Sequence, residues 1–198
     1  MIIKLTEGPL ETRFGTFTEK LYYNGQKEAI GLVMGDVKQG EEVLCRVHSS
    51  CISAHILNSI ECDCREQMEM AQLRIQEAGR GVIIWLDQEG RANGHVALLA
   101  SAQLRADGLT QSEAYTSLGY EVDDRNYKVA AEILEDLGVK SITLMTNNPH
   151  KIEALSEAGI NIAGTQRVVL SPNKNNDKIL YQTYTEKISR GHHIELEA

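Results

Sequence analysis

The sequence is short of aromatic and of basic residues. Aromatic side chains make up 5% of the 198 residues, and the formal net charge is −8. Proteins that bind single-stranded nucleic acid need aromatic stacking platforms and a basic surface, so both shortages argue against that class. A phosphorylated small molecule would have to bind at a local cluster of arginine and lysine side chains. We therefore expect no nucleic-acid partner.

Long apolar runs and a disulfide pattern are also missing. No uninterrupted apolar segment approaches the length of a membrane span, and the first seven residues, MIIKLTE, read as a strand and not as a signal peptide. Only four cysteines occur, and three of them lie between residues 51 and 64. This grouping suits a metal site in a reducing compartment better than a disulfide framework. We expect a cytoplasmic protein that does not associate with membranes.

The three grouped cysteines, Cys51, Cys62 and Cys64, predict a metal site. Their C-x10-C-x-C spacing lets three thiolates converge on one cation, and the fourth tetrahedral position is left for His48, a water or a substrate. An open position of this kind is what hydrolytic zinc needs. The alternative is that the cysteines are small core residues, since two positions apart on a strand share one face. Cys45, inside a predicted strand, is expected to face the core.

Hydrophobic patterning predicts strands first and alternating helices and strands later. Asn24-Gly25 is a hairpin signal, and residues 81–86 form a continuous apolar run typical of a strand buried on both faces. The order favours an α+β (mixed α/β) single domain over residues 1–172 with a largely antiparallel first half. Residues 173–198 are predicted to be a partly disordered tail. Helices are predicted over 66–77, 95–106, 123–137 with Asp123 as N-cap and Arg125 in the first turn, and 149–158.

Charged residues and metal ligands cluster at the ends of four predicted elements. The clusters are 46–64, 89–91, 123–125 and 146–151. Taken singly, each has an ordinary explanation, such as a surface ion pair, a helix cap or a solvated lysine. Together they supply a metal, a local set of cations and acids that can move protons, on a chain that is otherwise acidic. That combination fits the hydrolysis of a phosphorylated small molecule.

These motifs resemble those of the GTP cyclohydrolase II family, which opens riboflavin biosynthesis. The resemblance covers nearly the whole chain, and several separate motifs occur in the family's order. It implies a GTP cyclohydrolase II-like single domain and a homodimer. The matching motifs are Arg46-Val47-His48-Ser49, Cys51, Cys62-Asp63-Cys64 with Gln67, Gln88-Glu89-Gly90-Arg91, Asp123-Asp124-Arg125, and Thr146-Asn147-Asn148-Pro149 with Lys151.

In that family, zinc-activated water attacks C8 of GTP and opens the imidazole ring; a second hydrolysis releases formate, and pyrophosphate is also lost. The resemblance implies one zinc ion per chain on the three grouped cysteines, Asp123 as proton acceptor, and Arg125 as the group assigned to attack at the α-phosphate. Because arginine stays protonated, stabilising the leaving pyrophosphate is the sounder role for Arg125. The implied nucleotide contacts, with Mg2+ on the triphosphate, are Arg46, Val47, His48, Ser49, Ser50, Gln67, Glu89, Gly90, Arg91, Thr146 and Lys151.

The chain departs from the family pattern in three places, as a divergent paralogue would. Ser50 replaces the usual glutamate, residues 92–95 replace Gly-Ile-Gly-Leu, and Ala102 replaces the usual catalytic tyrosine. A lost proton-transfer group can cost about two to four powers of ten in a chemical step. The product, a 6-ribosylamino-pyrimidinone 5'-phosphate, could therefore keep its formyl group. Alternatively, the substrate is another purine nucleotide or base derivative of secondary metabolism or base catabolism, or the chain is a non-catalytic nucleotide-binding homologue.

Overall fold

One mixed sheet forms the centre of the fold. The computed structural model describes residues 1–168 and 178–192, and this part of the chain has seven strands and eight helices. The strands are β1 (Ile3–Thr12), β2 (Gly15–Tyr23), β3 (Glu28–Met34), β4 (Val43–Ser49), β5 (Gly81–Leu86), β6 (Ile142–Met145) and β7 (Ile162–Gln166). The helices are α1 (Ile52–His55), α2 (Cys64–Ala78), α3 (Gly94–Ala100), α4 (Ala102–Ala106), α5 (Gln111–Ser117), α6 (Lys128–Asp136), α7 (Pro149–Glu157) and α8 (Lys178–Ser189).

The strand order in the sheet is β1-β2-β3-β5-β4-β6-β7. The pairs β1/β2, β2/β3 and β3/β5 are antiparallel, whereas β4/β6 and β6/β7 are parallel. Parallel neighbours need a crossover connection, and α7 supplies it between β6 and β7. The predicted mixed α/β class with an antiparallel first half is confirmed.

The chain divides into two compact units. The sheet unit comprises Met1–His48, Met68–Asp87 and Asn126–Val168, and the helical unit comprises Ser49–Gln67, Gln88–Arg125 and the described part of Val169–Ala198. Helix α8 lies in the tail, where sequence patterning predicted no element. The tail residues 173–177 and 193–198, for which disorder was predicted, lie outside the described residues, and the domain boundary at 172 stays a prediction. No helix in the described ranges is long and apolar enough to cross a bilayer.

Strand β5 has apolar residues on both of its faces, and both faces are buried. Val82, Ile84 and Leu86 belong to a buried cluster that also contains residues of α6 and α7. Ile83, between them, belongs to a second cluster with Ile75 of α2. Successive strand residues point to opposite faces, so an uninterrupted apolar run is required where helices cover both. The prediction for this strand is confirmed.

The turn between β2 and β3 lies where the sequence placed it. The Asn24 side-chain oxygen accepts hydrogen bonds from the backbone N–H groups of Gln26 and Lys27, at 2.9 and 2.8 Å. Gly25 has φ of +93°, a conformation that costs glycine least. Local chemistry alone therefore specifies this hairpin.

Two predicted helices differ from those observed. Helix α6 begins at Lys128, so Asp123 is not its N-cap and Arg125 is not in its first turn. The Asp123 carboxylate is bound by arginine side chains instead. The helix predicted over 95–106 is divided at Ser101 into α3 and α4, and the Ser101 hydroxyl donates to the Leu98 carbonyl at 2.8 Å. Serine hydroxyls that bond backward to carbonyls weaken and bend helices.

We expect Ile133→Ala to lower the free energy of unfolding by about 2–5 kcal/mol, because Ile133 is fully buried in the cluster beneath α6 and its loss leaves a cavity. Denaturant unfolding of the purified variant measures this change. Glu135→Ala, two positions along on the exposed face of α6, is the control and should shift stability by no more than about 0.5 kcal/mol. Equal effects of the two substitutions would contradict this account of the core.

Candidate active site

Three cysteine thiols converge in the helical unit. Cys51 follows the end of β4, Cys62 precedes α2, and Cys64 is the first residue of α2. Their sulfur atoms all lie within 4.8 Å of one another, and those of Cys51 and Cys62 are 3.6 Å apart. Tetrahedral zinc with Zn–S bonds of about 2.3 Å needs sulfurs about 3.8 Å apart, so this donor set fits the ion. The predicted convergence is therefore present in the structure.

Protonation of the cluster follows from the closeness of its sulfurs. Hydrogen bonds from the neighbouring thiols lower the pKa of Cys62 to about 3, and the hydrogen bond to Cys62 raises the pKa of Cys51 to about 11. Three thiolates cannot share this space without a cation, whereas a divalent metal stabilises all three. Cys45 is different, because its complete burial in the sheet unit raises its pKa to about 12. It is a core residue, as predicted.

Glu89 holds the loop that carries Cys51. Its carboxylate is almost fully buried, and it accepts a hydrogen bond from the backbone N–H of Ile52 at 2.8 Å. The hydroxyl of Ser50 meanwhile accepts from the Gln88 N–H at 3.0 Å. The segments 49–52 and 88–89 are thus tied together within the helical unit. In this structure Glu89 and Ser50 both make contacts that orient the first predicted metal ligand.

Asp63, between the other two predicted ligands, is bound by three side chains. Its carboxylate accepts hydrogen bonds from Gln67 at 2.6 Å, Tyr184 at 2.7 Å and Lys187 at 2.9 Å. Burial alone would raise the pKa of Asp63, but the Lys187 charge and these hydrogen bonds lower it to about 2. Asp63 is therefore a fixed anion that anchors the Cys62–Cys64 loop to the start of α2 and to α8.

The turn after Glu89 has an unusual backbone. Gly90, Arg91 and Ala92 have φ of +58°, +57° and +69°, a region that non-glycine residues seldom adopt. At Gly90 a β-carbon would lie 2.4 Å from the Gly94 carbonyl oxygen, so only glycine fits there. Backbone strain of this kind concentrates at functional sites.

From this turn the Arg91 side chain extends toward helices α5 and α8 of the same unit. Its guanidinium donates to Glu186 of α8 at 2.9 Å and to the Ser112 hydroxyl at 3.0 Å. Glu186 also accepts from the backbone N–H of Gln111, at the start of α5. Burial lowers the pKa of Arg91, and the pairing with Glu186 opposes that shift. A buried, paired arginine is held in one orientation.

Asp123 and Arg125 form a bidentate ion pair. Nε and Nη2 of Arg125 donate to the two carboxylate oxygens at 2.8 and 2.6 Å, and Arg190 adds a third contact at 2.9 Å. Burial would raise the pKa of Asp123, but the two arginines hold it far below its usual range. The predicted proton acceptor is therefore present as a stable anion, shared by two cations.

Of the remaining predicted nucleotide contacts, Ser49 lies in the helical unit, where its hydroxyl donates to the Gln88 side-chain oxygen at 3.4 Å. The others lie in the sheet unit, near the ends of the parallel neighbours β4 and β6. Arg46 donates to the Met145 carbonyl at 2.9 Å, and Lys151 donates to the Val47 carbonyl at 2.8 Å. Thr146 and His48, which follow Met145 and Val47 in the sequence, are also buried. The Thr146 hydroxyl accepts from the Asn148 N–H, at the N-cap of α7. Contact of these residues with a nucleotide stays a prediction.

Sequence patterning missed five side chains at this site: Asp63, Tyr184, Glu186, Lys187 and Arg190. Four of them belong to α8 or the turn that follows it, which the sequence analysis treated as a polar tail. A signal was present, because Tyr184 and Lys187 are three residues apart and Glu186 and Arg190 are four apart, the spacings that align side chains along a helix. Their partners, however, are at least 67 positions away in the sequence.

Three converging thiols, with paired acids and arginines in the same unit, form a donor set of the kind that holds zinc in hydrolases. The comparison with known families agrees. A family model described as GTP cyclohydrolase II matches residues 4–168. The chain belongs to the GTP cyclohydrolase II family, which is a family of hydrolases, and the predicted resemblance is confirmed.

Individual relatives give the same result. GTP cyclohydrolase-2 of Actinobacillus succinogenes is 41% identical over 197 residues, which cover 98% of this chain and 88% of that protein. The riboflavin biosynthesis protein RibBA of Bacillus mycoides is 40% identical over 99% of this chain, which spans 49% of that longer protein. A solved structure of RibBX, a two domain 3,4-dihydroxy-2-butanone 4-phosphate synthase from A. baumannii, aligns with TM-score 0.47 and 22% identity over 86% of this chain and 40% of its own.

Changing any one of Cys51, Cys62 and Cys64 to serine is expected to reduce bound zinc from about one ion per chain to nearly none, because each supplies one of three protein ligands. Elemental analysis of protein purified with equimolar zinc measures the content. Cys45→Ala is the matched control and should keep its zinc. A cysteine variant that retains a full equivalent would show that its sulfur is not a ligand.

Lys187→Met is expected to weaken zinc binding by about 10–100-fold, because supports of metal ligands typically contribute that much and this one neutralises Asp63. Competition with a chromophoric chelator gives the affinity. Tyr184→Phe should have a smaller effect in the same direction, since it removes one hydrogen bond and no charge. Lys128→Met, which removes an equal charge from the exposed surface of α6, should leave the affinity unchanged. If the two lysine variants bind zinc equally, α8 does not support the loop.

Proposed function

We propose that this protein is a zinc-dependent hydrolase that opens the imidazole ring of GTP at C8 and releases pyrophosphate. The observation that carries the proposal is the convergence of Cys51, Cys62 and Cys64 in a chain of the GTP cyclohydrolase II family. The proposed product is a 6-ribosylamino-pyrimidinone 5'-phosphate. Ring opening uses one water, pyrophosphate release a second, and formate release, where it occurs, a third.

Zinc held by the three thiolates supplies the Lewis acidity that activates water for hydrolysis. The protein's own residues do the remaining work. Asp63 and Glu89 orient the ligand loops through the contacts described above. Arg91 and Arg125, fixed by carboxylates in the free protein, stabilise negative charge on the leaving pyrophosphate. Asp123 accepts a proton at a carboxylate oxygen once its arginine partners are engaged elsewhere.

The other nucleotide contacts are proposed on the family resemblance. They are Arg46, Val47, His48, Ser49, Ser50, Gln67, Gly90, Thr146 and Lys151, together with Glu89. Mg2+ is proposed to accompany the triphosphate, because this ion usually binds through substrate phosphates. We propose a homodimer in the cytosol, where the three thiols stay reduced. Light scattering during gel filtration tests the dimer.

Incubation of zinc-loaded protein with GTP and Mg2+ should yield pyrophosphate and a ring-opened nucleotide, identified by mass spectrometry. Removing zinc with a chelator should abolish the reaction, and adding zinc back should restore it, because the thiol cluster then lacks its Lewis acid. Cys62→Ser serves as the inactive control and Cys45→Ala as the active one. Turnover of GTP that is indifferent to zinc would contradict the proposal.

Ala102 bears on the last step, the release of formate. Ala102→Tyr restores a hydroxyl where the family has its catalytic tyrosine, and we expect formate release to rise by about two to four powers of ten relative to pyrophosphate release. Parallel assays of formate and pyrophosphate on the wild type and the variant measure the ratio. Stoichiometric formate from the wild type, unchanged in the variant, would show that another group already fills the role.

A second candidate substrate class follows from Ser50. Its hydroxyl is engaged by the Gln88 N–H, and it offers no carboxylate where the family usually has glutamate. Another purine nucleotide or base derivative is therefore the alternative to GTP. A panel of purine nucleoside mono-, di- and triphosphates in the same assay decides between them. Nucleotide-induced thermal stabilisation without turnover of any member would identify a non-catalytic binding protein.

A further inference from the structure

The turn after α8 delivers a third arginine to the group formed by Arg91 and Arg125. Arg190 donates from Nη2 to Asp123 at 2.9 Å, and the same carboxylate oxygen accepts from Arg125 at 2.6 Å. One turn earlier in α8, Glu186 accepts from Arg91 at 2.9 Å. Arg190 lies outside residues 4–168, the part of the chain that the family model matches.

The three guanidinium groups are close enough to affect one another. Burial is the largest cause that lowers the pKa of Arg91, and the charges of Arg190 and Arg125 lower it further. The Asp123 carboxylate contacts Arg125 and Arg190, and the Glu186 carboxylate contacts Arg91. Crowded, partly buried guanidinium groups are stabilised by an added anion, and arginine matches phosphate oxygens with paired hydrogen bonds.

We propose that Arg190 is a phosphate-binding residue for the nucleotide substrate, and that Arg190 and Arg125 exchange the Asp123 carboxylate for phosphate oxygens when the nucleotide binds. This inference rests on the proposed function, because it concerns the phosphates of that substrate. The three residues Arg91, Arg125 and Arg190 are called the arginine cluster below. No bond is made or broken in this step; one anion replaces another as the acceptor of charge-assisted hydrogen bonds.

The exchange links phosphate binding to the state of Asp123. In the free protein three side-chain hydrogen bonds from two arginines keep Asp123 ionised and make it a weak base. Moving those donors to phosphate removes the groups that stabilise the ionised form, so the carboxylate becomes a better proton acceptor. A nucleotide that lacks the full phosphate chain would leave Asp123 occupied. Helix α8 would thereby contribute to selection of a triphosphate.

The test measures binding of inorganic tripolyphosphate to zinc-loaded, full-length protein by calorimetry, so that it does not depend on turnover. Loss of one charge-assisted contact costs about 1.5–3 kcal/mol, and Arg190→Ala should therefore weaken binding by about 10–150-fold. Arg190→Lys keeps the charge and should recover part of the loss, whereas Arg190→Gln should not. Arg74→Ala removes an arginine of the sheet unit that donates to the Arg167 carbonyl, and it should bind like the wild type.

If the arginines exchange the Asp123 carboxylate for phosphate oxygens, removing that carboxylate should raise the affinity for tripolyphosphate. Asp123→Asn removes the competing anion, so tripolyphosphate should bind at least about fivefold more tightly, whereas an ion pair with only a structural role predicts no gain. Asp124→Asn removes the same charge from the adjacent, exposed residue and controls for the change in net charge. Equal affinities of Asp123→Asn and Asp124→Asn would overturn the exchange.

Zinc content and thermal unfolding of each variant separate a phosphate contact from a folding defect. If Arg190→Ala is unstable, the comparison of Arg190→Lys with Arg190→Gln decides the question on folded protein. Unchanged tripolyphosphate affinity in Arg190→Gln, or no binding by the wild type, would overturn the proposal. Binding that depends on Arg190 without any turnover of GTP would support it while refuting the proposed catalytic function.

Discussion

The buried carboxylate of Asp63 is the contact on which the candidate metal centre depends. It lies between Cys62 and Cys64 and is bound by Gln67, Tyr184 and Lys187. A loop with two metal ligands has little apolar surface of its own, so its conformation must come from polar contacts that are protected from water. A buried anion without partners would cost several kcal/mol, and the lysine and the two hydrogen-bond donors offset that cost. Through Tyr184 and Lys187, helix α8 in this way contacts the loop that carries two of the three thiols.

The same principle recurs around the other candidate site residues of the helical unit. Glu89 is held by a backbone N–H next to Cys51, Arg91 by Glu186, and Asp123 by two arginines. Each charged group that could act on a substrate is already bound to an opposite charge or a backbone dipole. Such preorganisation lowers the cost of ordering the site when a ligand arrives, because the side chains have lost their freedom before binding. It also means that an incoming anion competes with carboxylates for the arginines.

Much of the fold and the metal ligands could be predicted from local information. The β2/β3 hairpin follows from Asn24-Gly25, and the central β5 strand follows from its unbroken apolar run. Three cysteines in a C-x10-C-x-C spacing predicted a metal site, and the structure brings their sulfur atoms together. The predicted start of α6 was wrong because the pattern assigned the Asp123 carboxylate to its own helix, whereas the side chains of Arg125 and Arg190 bind it.

The sequence by itself determined the family, the strand pattern and the predicted metal ligands, because these depend on residue type and on spacings of a few positions. Only the tertiary structure decided which charges meet. The partners of Asp63 in α8 are 121 and 124 positions away, and Arg190 is 67 positions from Asp123. Pairing over such separations is set by how the chain packs, since the sequence around an arginine or lysine on a polar helix does not indicate which carboxylate it will bind. The thiol spacing identified the site, and the folded chain showed that α8 supports it.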